Sequence, residues 1–145
     1  MKLRRPHDTL GGCLWLPRFL DKARHHLAGT LDPAYQRAFC NPRGVDGFFF
    51  AHFSLTADEI LAAVQRAPSD EAFARWFCAR PASNAERIAA WNDLAPKLGM
   101  PGQPGEQTLQ WALQNVYPGC TDPRANSCFT VLAWDEGFLD EVSPA

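Results

Sequence analysis

The stretch LGGCLWLPRFLDKARHHLAGT, residues 10–30, decides how the chain is read. Gly11 and Gly12 break regular structure and lift the chain out of whatever precedes them. Pro17 is tolerated only in a first turn, so a helix is predicted to start near Leu14 to Leu16. Gly29 suits a left-handed C-terminal cap, so that helix should end near Ala28. Between these limits Leu16, Phe19, Leu20, Ala23 and Leu27 fall on one stripe at helical spacing. Arg18, Asp21 and His25 share the opposite face, with Lys22, Arg24 and His26 towards its borders.

Asp21 lies three residues from Arg18 and Arg24 and four from His25, within reach on a helix surface. Two readings follow. In one, this is a solvated face whose ion pairs are each worth a few tenths of a kcal/mol, roughly. In the other, a second element covers the face, and Asp21 orients Arg24 or His25 towards a buried anion. Arg24, beside Leu20 and Leu27, is then the arginine expected to point inward. The binding set on this reading is Arg18, Asp21, Lys22, Arg24 and His25.

The 145 residues suggest one domain with a sizeable core, residues 1–9 forming a loose N-terminal arm. A hydrophobic share of 46% and a charged share of 21% are those of a globular chain. A net charge of −2 gives no basic surplus for nucleic acid. No apolar run is long enough for a membrane span. Five cysteines without CxxC spacing, and no signal core, predict a cytoplasmic protein with reduced thiols. Cys78, inside an apolar helical run, is expected to be buried.

Downstream the chain reads as successive helices. Pro33 to Phe39 is expected as a short helical turn in a turn-rich connector, and Phe48, Phe49, Phe50 and Phe53 as core. Thr56 with Glu59 makes a capping box, Ser69 caps the next helix over Phe73, Trp76 and Phe77, and Ser83 with Glu86 makes a second box. A helix carries Leu109, Ala112, Leu113 and Val116, with Trp111 off its stripe and free to face a neighbour, a ligand or a partner. The last segment, residues 128–139, is read as a short helix because an isolated strand has nothing to pair with. The predicted architecture is an all-α orthogonal bundle of five to seven short helices.

No Gly-rich phosphate loop, HExxH, GxSxG or paired zinc cysteines occur, so the easily recognised enzyme classes are excluded and no cofactor is expected. His25 and His26 point about 100° apart on a helix and do not chelate one metal together. His52 with either of them and a carboxylate is a metal set that nothing in the spacing demands, so no metal is assigned. Cys40, bracketed by Arg37 and Arg43, is a loop cysteine that becomes reactive only beside a cation. Asp135 and Glu136 are acidic residues suited by charge to Arg18 or Arg24.

Leu10-Gly11-Gly12, Arg18-x-x-Asp21-Lys22-Ala23-Arg24 and Ala28-Gly29-Thr30 together resemble the signature of an uncharacterised bacterial family, a domain of unknown function of about this chain's length. Phe48-Phe49, Ser69-Asp70-Glu71 and Leu132…Asp135-Glu136-Gly137 also look like it. The resemblance implies one whole domain and no particular reaction. Three functions are compatible with these residues. The first is a small-anion binding or accessory protein using the first-helix charges. The second is an enzyme of unknown reaction using His25 or His52 beside Asp21 and Arg24, with catalytic residues unknown. The third is a homodimeric interaction module burying Trp111 and the Phe cluster.

Overall fold

The computed structural model describes residues 1–144 and has the mostly helical fold expected, with nine α-helices and one small hairpin among the described residues. Two of the helices are only four residues long, which accounts for the excess over the five to seven predicted. The chain divides into two compact units, Met1–Asn92 and the residues from Asp93 onward.

The first unit opens with a hairpin the sequence reading missed. Strands β1 (Thr9–Leu10) and β2 (Cys13–Leu14) pair antiparallel, Thr9 opposite Leu14 and Leu10 opposite Cys13. Gly11 and Gly12, at φ +59° and +76°, are its two-residue turn rather than a plain break. The hairpin is held by the Asn92 side chain, which accepts from Leu14 N–H (3.0 Å) and donates to Gly12 C=O (2.8 Å). Trp91 adds its indole N–H to Leu14 C=O (2.9 Å). Residues 1–9 are likewise not a loose arm. Leu3 and Pro6 are buried, and Trp15 N–H donates to Pro6 C=O.

Helix α1 (Leu16–Leu27) has the predicted limits, with Pro17 in its first turn and Gly29 left-handed beyond its end. Next come α2 (Pro33–Gln36), capped by the Asp32 carboxylate, and α3 (Val45–His52). The predicted capping box of Thr56 and Glu59 opens α4 (Ala57–Arg66), and Ser69 caps α5 (Asp70–Ala79). Helix α6 (Ala85–Leu94) is capped by Asn84, not by Ser83 with Glu86. Pro81–Ser83 forms a 3-10 turn that buries Ser83, whose hydroxyl instead accepts from Arg80.

The core of this unit is aromatic. Phe49 stacks on Phe77 (5.9 Å between centroids) and meets Phe53 and Trp91 edge-on. Such pairs each add about 1 kcal/mol beyond their burial. Phe19 and Leu20 of α1 are buried, but Leu27 is exposed. Cys78 is exposed rather than buried, its thiol 3.8 Å from Gly11 C=O.

In the second unit α7 (Glu106–Asn115) buries only Leu109, and α8 (Cys128–Glu136) packs with α9 (Leu139–Val142). Leu109, Ala125, Val131, Ala133, Phe138 and Leu139 form its core. A Ser127–Thr130 capping box starts α8 and Gly137 ends it, so the segment read as a final helix is one. Arg124 ties Asp122 to Asp140, at 2.8 Å from each. Trp111 is 52% exposed, not core. All five cysteines are free, and among the described residues no single helix is long and apolar enough to cross a membrane.

Candidate functional site

The first half of α1 is buried all round, and this separates the charges that the helical wheel grouped together. Arg18 and Lys22, one turn apart, are 1% and 3% exposed. The Lys22 ammonium donates to both carboxylate oxygens of Asp46, at 3.0 and 2.9 Å, and Asp46 in the first turn of α3 is itself 1% exposed. Asp46 also accepts from the Trp15 indole N–H (2.8 Å) and from Cys40 N–H (2.9 Å). The Trp15 ring underlies both cations, with the Arg18 guanidinium 5.6 Å and the Lys22 nitrogen 4.7 Å from its centroid. The Tyr35 ring lies on Arg18 at 5.7 Å, and Arg18 donates to Arg4 C=O (3.1 Å). Aromatic faces favour cations, most strongly away from water.

The backbone is strained around this carboxylate. Trp15 and Cys40 adopt φ +75° and +56°, left-handed values that non-glycine residues rarely take, and both donate to Asp46. Such conformations persist only where their surroundings fix them, and they cluster at functional sites.

Residues 32–44 form a strap over the cluster. Most of the strap is exposed. It is pinned where Tyr35 covers Arg18, where Phe39 stacks on Phe19 (5.7 Å) and meets the His26 ring at a tilt (4.8 Å), and where Cys40 reaches Asp46. Gly47 lets it press on α3, because a Cβ there would meet the Cα of Pro42 at 2.6 Å.

The other predicted residues lie on a rim. Asp21 accepts from Arg4, both from its main-chain N–H (2.8 Å) and from its guanidinium (2.9 Å). Arg4 also reaches Asp70 (2.7 Å), which in turn pairs with Arg24 (2.7 Å). Arg24 is thus half-exposed, and the inward-pointing arginine is Arg18. His25 bonds Thr30 Oγ1 (2.9 Å) near the exposed end of α1. His52 bonds Arg87 C=O (2.8 Å), the part of a core-edge histidine. Among the described residues no group of three His, Cys, Asp or Glu is placed to hold a metal ion.

The charge states follow from these surroundings. Burial holds the Lys22 ammonium below the ordinary lysine range, opposed by Asp46 and reinforced by Arg18. Burial and Asp46 push the Cys40 thiol up to about 12, so it is no thiolate nucleophile. The Arg4 hydrogen bond, with that of Arg24, holds the Asp70 carboxyl below its usual value.

Of the residues gathered in this cluster and its rim, the sequence reading missed Asp46, Trp15, Tyr35 and Arg4. Asp46 had one local signal, an acidic residue in the first turn of an otherwise apolar Phe-rich helix.

A family model, that of a domain of unknown function (DUF5069), matches residues 1–138. The chain belongs to this family. Comparison with curated proteins gave no match. The family match runs through the whole Trp15–Arg18–Lys22–Asp46 cluster and its strap.

Proposed function

We propose that the first unit binds a small anion of metabolite size, a carboxylate or a phosphate, at Arg18 and Lys22 beneath the strap. One observation carries this reading. Lys22, Trp15 and Cys40 converge on the buried Asp46, and two of these three residues are held in left-handed backbone to do so. A buried ion pair is weak evidence for stability, because desolvation offsets most of its attraction. Keeping one at the cost of two strained residues fits a site that must present charge to a ligand. We take the Arg18–Arg24 motif to be the functional signature of a bacterial, cytoplasmic protein. The enzyme reading through His25 draws less support, since that ring bonds a threonine hydroxyl at the exposed end of α1.

The test is a thermal-shift series with inorganic phosphate, acetate, pyruvate and citrate on the wild type and on Arg18→Gln, each against its own ligand-free Tm. A ligand stabilises only the state it binds. At least one anion should raise Tm saturably in the wild type and not in the variant. Equal shifts in both, or none from any anion, would remove this reading.

A further inference from the structure

We propose that Lys22 is a carbonyl-capturing amine, condensing with the keto carbon of a small 2-oxo acid whose carboxylate is received by Arg18. The proposal rests on the anion-binding reading above and adds covalent chemistry to it. The chain has three lysines, and Lys2 and Lys97 are exposed while Lys22 is buried. Arg18 and Lys22 stand one turn apart, and their charged ends reach the same indole ring. A 2-oxo acid carries its anionic and electrophilic carbons one bond apart, which suits two cationic groups placed side by side. Of these two only the lysine can lose its proton, since a guanidinium stays charged.

The chemistry balances within the residues present. The Lys22 ammonium passes a proton to Asp46, 2.9 Å away. The freed lone pair attacks the keto carbon, the carbonyl π pair moves onto oxygen, and a proton shifts from the nitrogen to that oxygen to give a carbinolamine. The Asp46 carboxyl then protonates the departing hydroxyl, which leaves as water, and a C=N bond remains on Nζ. No oxidant or reductant is consumed. Burial, which lowers the basicity of Lys22, raises its share of free amine, tenfold for each unit of pKa.

The experiment treats the full-length wild type with pyruvate and sodium cyanoborohydride, which reduces an imine to a stable secondary amine, then locates the adduct by peptide mass spectrometry. Lys2 and Lys97 are internal comparators. Labelling should fall on Lys22 in preference to both exposed lysines, Lys2 and Lys97. A parallel thermal shift with pyruvate, and with lactate as its carbonyl-free counterpart, separates the two claims. Stabilisation by both acids with no Lys22 label overturns the covalent step and leaves anion binding standing. Neither stabilisation nor label overturns the covalent step, and overturns the anion reading with it where phosphate, acetate and citrate also fail to stabilise the wild type. Labelling spread equally over the three lysines overturns the covalent step.

Discussion

Asp46 gathers three donors from three parts of the chain, and each of them depends on its charge. Removing one member of a buried ion pair leaves the other uncompensated, at a cost of about 3–5 kcal/mol. Lys22→Met alone is therefore expected to lose about that much stability in urea melts. The double variant Lys22→Met/Asp46→Leu should recover part of the loss, because the desolvation penalty goes with the charges while the Trp15 and Cys40 N–H groups lose their acceptor. A double variant as unstable as the single would mean that Asp46 acts through Trp15 and Cys40 instead. None of this was legible from the helical wheel. The wheel put Arg18 on the face opposite the apolar stripe and Lys22 at its border; a covered face was one of two readings, but Arg24 was then the arginine expected to point inward. What buries them comes from the strap and from a carboxylate 24 residues beyond Lys22, and local spacing carries no information about either.

At the level of elements, the helices were readable because their signals are local. Pro17, the Thr56–Glu59 box and the Ser69 cap each lie within a turn of the boundary they set. The hairpin was missed because Gly11 and Gly12 were taken as breakers, although two glycines between Thr9-Leu10 and Cys13-Leu14 are also a tight-turn signal. The same error made residues 1–9 an arm and hid Arg4. The strap is the element on which the proposed site turns, and Gly47 offers a way to lift it. In Gly47→Ala the new methyl meets the Pro42 main chain, which cannot move aside as a flexible side-chain end would. Tryptic cleavage after Arg37 and Arg43 should then speed up, while cleavage after Arg66 and Arg75 in α4 and α5 stays slow. Cleavage accelerated equally at all four would show general unfolding instead.

For the molecule as a whole, the rim network Asp21–Arg4–Asp70–Arg24 predicts an acid limit to stability. The folded-state pKa of Asp70 is depressed, so its stabilising contribution is fully present above about 3.8 and is lost as pH falls through the folded value. Urea midpoints of the wild type and Asp70→Asn should therefore differ at pH 6 and converge as pH falls below the ordinary carboxylate range. A gap that persists there would place the effect outside this carboxyl. The central claim, an anion site at Arg18 and Lys22, is tested most directly by following the five tryptophan indole N–H signals by NMR during an anion titration. The Trp15 indole donates to Asp46 and underlies both cations, so its signal should shift saturably with pyruvate or phosphate while that of the exposed Trp111 stays in place. A Trp15 signal that remains fixed through the titration would contradict the account.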